Sequence, residues 1–324
     1  MKAAIIKELG QTPVYSDHPD PVPANETELL MNVKAASVKN LDKLRASGKH
    51  YASYTELPAV AGIDGVGTLE DGTLVYAQGI SGTLAEQALI RKGQYVVVPQ
   101  GLDIIQAAAL PNAVIGAAMA LRFRAKMKKE DVVLINGATG VTGKLAVQLA
   151  KHDGASKIIV TGRNKSVLEE LRGLGADEVI SLLDSDEAII ERLKSIHRET
   201  PISCVIDYLW GKPVELIISA LKGGGVNSFT PQVKIVTVGS MAGENISLGS
   251  GTLRSSAIEI LGSGLGSLSR EDLHRFYKEV LPEIFELAKD GKLKLDTYTA
   301  PLSEVEKAWE LALEGGVRLV ISVD

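Results

Sequence analysis

Over the first hundred residues, apolar and polar positions alternate in short runs. Met1 to Glu8, Thr27 to Val38, Gly65 to Gln78 and Thr83 to Val98 are rich in Val, Leu and Tyr. Partial alternation at period two predicts half-buried strands. Glu70-Asp71-Gly72, between two Thr-Leu pairs, reads as a hairpin turn, because Gly accepts the positive φ such turns require. Pro19, Pro21 and Pro23 mark an extended connection. Closely spaced strands with Gly-rich turns predict a small barrel or sandwich.

Near Leu102 the pattern changes. Ile104 to Lys126 is helical in texture. Its apolar run to Leu121 is about long enough to span a bilayer, but it is mostly Ala and contains Gln106, Pro111 and Asn112, so it reads as buried helix and loop. From Asp131 the chain alternates. Strands are expected at 132–136, 157–162, 178–182, 204–209 and 234–240, with helices at 143–152, 166–174, 186–198 and 214–221. Continuous apolar strands alternating with amphipathic helices predict a parallel sheet covered on both faces. A Gly/Ser-rich stretch follows (239–269), then a helix over 270–290, short strands, a helix over 303–314 and a closing RLVISV strand. The strand-rich ends predict that the C-terminal tail returns to the first domain.

The length of 324 residues suits about two domains at roughly 150 residues each. Hydrophobic residues at 45% and charged residues at 23% are ordinary for a globular chain and exclude a disordered or fibrous one. Lys and Arg number 35 against 40 Asp and Glu, so the basic field needed for nucleic acid is missing. The single cysteine, Cys204, allows no internal disulfide and no Cys cluster for zinc. At the start of a strand, it reads as an inert core residue. The opening MKAAIIKELG has too short an apolar run for a signal peptide. The expectation is a cytoplasmic protein that binds neither membrane nor nucleic acid.

The strongest motif is VVLINGATGVTGKLAVQLAK (132–151). A strand runs into Gly137-x-x-Gly140-x-x-Gly143 and then a helix. The early glycines permit a tight turn and close approach of backbone to a pyrophosphate, and the last lets the helix pack on the strand. The helix N-terminus offers free N–H groups and a positive dipole end. Gly137, Thr139, Gly140, Val141, Thr142 and Gly143 are therefore cofactor-binding candidates.

The second strand discriminates between cofactors. An NAD site carries Asp or Glu near its end, bonding the ribose 2′-OH. Here the strand ends Gly162-Arg163-Asn164-Lys165, with two cations and no acid. A guanidinium suits a 2′-phosphate. One charge-assisted bond contributes about 1.5–3 kcal/mol. The expected cofactor is NADPH. Ligands lie outside the carboxyl ends of parallel strands, which adds Leu209, Trp210, Val238, Gly239 and Ser240.

The chain resembles the medium-chain dehydrogenases/reductases over nearly its whole length. The likeness rests on the strand-rich N-terminal part, AVAGIDGVGTL (59–69), LINGATGVTGKLAVQLAK with LGADEVI (174–180), and PLSEVEKAWELALEGGVRLVI (301–321). It looks most like the zinc-free quinone oxidoreductase branch related to ζ-crystallin. The resemblance implies an α/β fold: a GroES-like β-rich substrate domain (1–122 and 267–324) plus a Rossmann doubly wound parallel-sheet domain (123–266), with the cofactor in the cleft between them. It also implies a homodimer or tetramer, and places the segment 261–267 near the nicotinamide.

Zinc-dependent members place ligands at positions that fall here on Lys39, Ile63 and Asn112. A protonated Lys and an Ile cannot ligate zinc, so oxidation through a zinc-bound alkoxide is not expected. Quinone oxidoreductases commonly carry an Asn where the Cys is lost. The direct counterpart is Lys39, with Asn40 beside it. Asn40 is the expected donor to an oxygen that gains charge, with a turn-capping role left open. Lys39 is a candidate electrostatic helper. Tyr51 and Tyr54 follow; a phenol can donate to a developing enolate or quinol oxygen and its ring can stack on a planar acceptor. Aromatic residues are only 4% of the chain, so this pair stands out. His50 reads as a surface histidine, and Asp64 as a residue holding local structure.

The leading expectation is an NADPH-dependent, zinc-independent quinone reductase. An alkene or enoyl reductase acting on α,β-unsaturated carbonyl compounds is the alternative. An NADPH-binding sensor without turnover is a third reading, since fold does not fix function.

Overall fold

Alternating burial along the N-terminal strands, and unbroken burial along the central ones, divide the chain into two kinds of sheet. A computed structural model of the protein describes residues 1–223 and 229–323. Two compact units are formed, Met1–Asn112 with Arg275–Asp324, and Ala113–His274. In chain order, the first part holds β1 (Lys2–Ile6), β2 (Val14–Asp17), β3 (Glu28–Val38), α1 (Asn40–Ala46), β4 (Ala59–Val60), β5 (Asp64–Thr68), β6 (Leu74–Gly79), β7 (Gln87–Val97) and α2 (Ile104–Ala118). The middle holds β8 (Val132–Asn136), α3 (Val141–His152), β9 (Lys157–Gly162), α4 (Lys165–Leu174), β10 (Glu178–Ser181), α5 (Asp186–Glu199), β11 (Cys204–Asp207), α6 (Gly211–Leu221), β12 (Val233–Thr237), α7 (Ser250–Arg254) and β13 (Ile258–Gly262). The chain closes with α8 (Arg270–Arg275), α9 (Leu281–Lys289), β14 (Asp296–Pro301), α10 (Val305–Glu310) and β15 (Val317–Ser322).

In the first unit β3, β5, β6 and β7 pair in sequence, and β7 returns to pair with β3. The ring closes into a small barrel, which removes exposed sheet edges. β15 joins β3 antiparallel and β14 joins β15 parallel, so the tail does return to the first sheet. The expected hairpin turn lies between β5 and β6, with Gly72 at φ +83°. The barrel core gathers Met31, Val33, Leu84, Ile90, Leu319 and Ile321.

The second unit is a parallel sheet of order β10-β9-β8-β11-β12-β13. This is the dinucleotide-binding order, with the topological switch between β8 and β11. Leu134, Ile159, Val205 and Ile235 pack with α5 and α6 residues such as Leu193 and Ile217. The alternating residues Val133, Ile135, Ile158 and Val160 are equally buried, as a sheet covered on both faces requires.

Several elements depart from the sequence expectation. α2 runs straight through Pro111 and continues as a wide turn over Met119–Arg124, where the Ala125 N–H donates to the Ala120 carbonyl five residues back. No loop interrupts it. It is long and apolar enough to cross a membrane, yet 67% of its most apolar window is buried inside the protein, which is the setting of a core helix. The Gly/Ser-rich stretch contains β13, the sixth parallel strand, which polar flanks concealed. The final helix stops at Glu310 and is preceded by a tighter turn over Leu302–Glu304. β2, β4 and α1 are short elements that periodicity did not separate from their surroundings.

Candidate functional site

The dinucleotide motif folds as a turn whose three glycines do three different things. Gly137 sits at φ +87°, and a Cβ there would come within 2.8 Å of Leu209 Cγ. Gly143 lies in the first turn of α3, where a Cβ would fall 2.6 Å from Ala138 Cα. Gly140 caps the helix at φ −84° with no side-chain cap. A Cβ there would meet no protein atom nearer than the Gly137 carbonyl oxygen at 4.0 Å, so the space above it is open. An uncapped helix N-terminus beside an open glycine fits a pyrophosphate. Thr139 reaches towards β9, since a Cβ on Gly162 would strike its Cγ2 at 2.5 Å. Val141 and Thr142 are half-buried first-turn residues of α3.

At the end of β9, Arg163 and Lys165 are exposed, and neither forms an ion pair among the described residues. Asn164 is committed in part: its Oδ1 caps α4, accepting the Val167 N–H at 3.2 Å and the Ser166 hydroxyl at 2.7 Å. The other strand ends converge by backbone hydrogen bonds. The Val238 N–H donates to the Asp207 carbonyl at 2.7 Å and the Ala242 N–H to the Leu209 carbonyl at 2.8 Å. A Cβ on Gly239 would meet the Tyr208 carbonyl oxygen at 2.9 Å. The Ser240 hydroxyl donates to Glu244 at 2.6 Å. The turn residues Gly137 to Gly143 thus share one end of the parallel sheet with Leu209, Trp210, Val238, Gly239 and Ser240.

The residues proposed to face an acceptor belong to the barrel unit, and one of them is buried. A β-bulge between Val33 and Ala35 shifts the facing of β3, so that Met31, Val33, Ala36 and Val38 enter the barrel core while Ala35, Ser37 and Lys39 follow the other face, where Lys39 is 2% exposed. Its ammonium donates to Asp64 Oδ1 at 2.6 Å and to the Ser37 carbonyl at 2.8 Å, and lies 3.3 Å from Asp42 Oδ2. Three acceptors occupy its three N–H groups. Asp42 also accepts the Lys39 backbone N–H at 2.8 Å, fastening the start of α1. The Tyr76 hydroxyl donates to Asp64 Oδ2 at 2.9 Å. Arg318, on β15, is the second buried cation; burial lowers its pKa, opposed by the charges of Asp64 and Asp42. The Lys39 ammonium is thus ion-paired with both carboxylates, and Arg318 acts on them through its charge without an ion pair to either.

Burial pushes the Asp42 carboxyl up, more than Lys39 pulls it down, and its Oδ1 has no hydrogen-bond partner. The Tyr76 phenol is held well above its ordinary range, first by burial and then by Asp64. Burial and Asp64 push the Tyr277 phenol up to about 12. Asp42, Tyr76 and Arg318 were not singled out from the sequence. The β-bulge between Val33 and Ala35 breaks the period along β3, so no alternation in the sequence marked Lys39 as buried.

Asn40 follows Lys39 directly and is exposed. Lys39, not Asn40, caps α1, and the Asn40 side chain makes no hydrogen bond among the described residues. Tyr51 is 93% exposed, its ring 4.1 Å from that of His50. Tyr54 is half-buried beneath the Arg45 guanidinium, 4.7 Å from its ring centroid. Its hydroxyl is enclosed without a hydrogen-bond partner of good geometry, and burial raises its pKa against the pull of Arg45. Cys204 is buried and its thiol pushed up to about 12 by burial, which leaves it unreactive.

Comparison with known proteins agrees with this geometry. Residues 141–285 match a family model described as zinc-binding dehydrogenase. The chain is 29% identical over 366 aligned positions, 99% of each chain, to a probable NADPH-dependent quinone reductase of Emericella nidulans. It is 33% identical to an NADPH-dependent alkenal/one oxidoreductase of Arabidopsis thaliana, over 56% of this chain and 52% of that one. Among solved structures, Escherichia coli quinone oxidoreductase complexed with NADPH superposes with a TM-score of 0.81 at 22% identity, covering 99% of this chain and 100% of that one. Among the described residues, no group of three His, Cys, Asp or Glu is assembled to hold an ion.

Two outcomes follow. Lys39→Met strands Asp42 and Asp64 without their ammonium and costs about 3–5 kcal/mol at neutral pH. The deficit narrows as pH falls, because protonation neutralises the stranded carboxylates. Urea unfolding at pH 7 and pH 5 checks both; a variant as stable as the parent at pH 7 contradicts the charge balance. Gly140→Val, whose side chain enters open space, leaves the melting temperature within a few degrees while abolishing NADPH binding in a fluorescence titration.

Proposed function

We infer the activity from family and site together: the chain belongs to the medium-chain dehydrogenase/reductase superfamily, on its quinone oxidoreductase side, and acts as an NADPH-dependent, zinc-independent reductase that transfers hydride to a quinone. The observation that carries this reading is the pairing of the open glycine turn with unpaired cations at the end of β9, where an NAD site has an acid. When bound, NADPH supplies the hydride. Gly137, Thr139, Gly140, Val141, Thr142 and Gly143 hold its pyrophosphate against the α3 N-terminus. Arg163 and Lys165 take the 2′-phosphate, with the remaining amide donors of Asn164 beside them, and Gly162 lets Thr139 of the glycine turn pack against the strand end. Leu209, Trp210, Val238, Gly239 and Ser240 line the strand ends along which the cofactor extends.

An acceptor already polarised by conjugation needs only donors at the oxygen that gains charge. The Asn40 amide, exposed and uncommitted, supports that role. Tyr54, with an enclosed and unpartnered hydroxyl, supports a role as second donor and proton source. Tyr51 offers an exposed ring for stacking on a planar quinone. Lys39 serves by holding α1, and so Asn40, at the barrel. The same reading has the protein in the cytoplasm as a homodimer or tetramer, supported by β13, which pairs on one side only.

Reduction of an enal, enone or acyl thioester is the second reading. It is favoured by the Arabidopsis thaliana relatives named for alkenal/one and enoyl-[acyl-carrier-protein] reduction. NADPH oxidation by the purified protein, with a quinone and an enone side by side and a chelator present, decides. Turnover of the quinone supports the first reading, turnover of the enone alone moves the assignment to alkene reduction, and silence with both leaves an NADPH-binding sensor. Arg163→Ala raises the NADPH KM about 10-fold or more and spares NADH; equal effects on both cofactors overturn the 2′-phosphate assignment.

A further inference from the structure

At the switch point of the parallel sheet, three buried polar side chains stand in register at the strand ends. Thr161 of β9 pairs with Asn136 of β8, and Asn136 pairs with Asp207 of β11. All three are fully buried. They form one chain of hydrogen bonds. The Gly137 N–H donates to Thr161 Oγ1 at 3.2 Å, and that hydroxyl donates to Asn136 Oδ1 at 2.5 Å. Asn136 Nδ2 donates to Asp207 Oδ1 at 2.7 Å. The same carboxylate accepts the Leu209 N–H and the Trp210 N–H, each at 3.1 Å.

The far end of this chain is strained. Trp210 has φ +54° and ψ −159°, a conformation close to glycine-only territory. Gly211 follows at φ +57°, where a Cβ would press on the Ala242 carbonyl oxygen at 2.9 Å. A bulky residue holds such a backbone only when its surroundings over-determine it. The surroundings here include the Asp207 carboxylate, which accepts two successive amides, the N–H of Leu209 and the N–H of the Leu209–Trp210 peptide.

We propose that Asp207 is a positioning residue for the cofactor: through Asn136 and Thr161 it locks the glycine turn, and through the amides of Leu209 and Trp210 it holds the strained turn opposite, so that both walls of the dinucleotide site are set by one carboxylate. The inference rests on the proposed NADPH site and adds a residue that the glycine motif does not contain. An aspartate is needed because every neighbour in the network is a donor. An amide in its place keeps an oxygen at Oδ1 but sets an NH2 against the Trp210 N–H where Oδ2 accepted it. Burial raises the Asp207 carboxyl, countered by the bonds from Asn136, Leu209 and Trp210.

The test is NADPH titration, followed by tryptophan emission and nicotinamide fluorescence, on the full chain. The parent protein must bind NADPH; failure there overturns the cofactor reading and not the role of Asp207 alone. Asp207→Asn raises the NADPH Kd about 10-fold or more, with the KM for the electron acceptor unchanged. In the Trp210→Gly background, where glycine adopts the turn unaided, the same substitution raises Kd less than about 3-fold. That coupling is absent from a residue that merely supports the fold. An unchanged Kd in a folded Asp207→Asn variant overturns the proposal, as does an equal loss in both backgrounds. If Asp207→Asn does not fold, Thr161→Val cuts the chain at its other end while keeping the side-chain shape. A rise in Kd of about 3-fold or more then supports the lock, and an unchanged Kd overturns it.

Discussion

The dinucleotide site depends on one close approach, that of α3 to the end of β8 at Gly143. A Cβ at that position would fall 2.6 Å from Ala138 Cα and 2.7 Å from the Gly137 carbonyl oxygen. Only glycine lets the helix begin so near the strand it follows. Because the helix begins there, its uncapped N–H groups stand directly over the turn, with the open space above Gly140 in front of them. Moving the helix outward by the width of a methyl group would withdraw the dipole from the phosphate position and open the packing of Leu145 and Leu149, both fully buried. Binding geometry and core packing are therefore the same constraint.

The two units solve the burial of charge in opposite ways. In the barrel, the Lys39 ammonium is ion-paired with Asp42 and Asp64, within reach of the charge of the buried Arg318. Such a group brings little net stability over an apolar core of equal volume, but removing one partner is costly because it leaves the others uncompensated. In the parallel sheet Asp207 has no ammonium or guanidinium partner among the described residues; it is held by dipoles, from Asn136 and two backbone amides. A carboxylate satisfied by fixed donors acts as a joint between the segments that supply them. The barrel centre fixes a helix start, and the sheet centre fixes two turns.

Much of this was legible in the sequence because periodicity and glycine spacing are local signals. The five central strands, the glycine turn and the return of RLVISV to the first sheet all follow from patterns within about twenty residues. β13 was not legible, because IEILG lies inside a Gly/Ser-rich stretch whose composition reads as a linker; pairing with β12 outweighs that composition. The final helix stops at Glu310 although the apolar pattern extends further. The buried role of Lys39 was not legible. A β-bulge between Val33 and Ala35 breaks the alternation along β3, and the partner of Lys39, Asp64, lies 25 positions away on another strand. The Asp207 network shows the same limit, since register across three parallel strands joins residues that no motif connects.

The pairing of the Lys39 ammonium bears on the proposed chemistry. An ammonium whose donors are taken by Asp64, Asp42 and Ser37 offers no strong positive field and no free N–H to an oxygen outside its cluster. A centre of this kind cannot stabilise an alkoxide as a Lewis acid does, whose worth lies in unbalanced charge at the reacting atom. It can still hold a neutral donor in place, and the Asn40 amide stands one residue away, fixed to the same helix start by the Asp42 bond to the Lys39 N–H. Neutral donors suffice when the acceptor spreads incoming charge over a conjugated system, as a quinone or an enone does, and fall short when the charge must sit on a single oxygen. On the proposed reading, the buried Lys39 narrows the substrate class by what it withholds, and the choice between quinone and enone passes to residues such as the exposed Tyr51 ring.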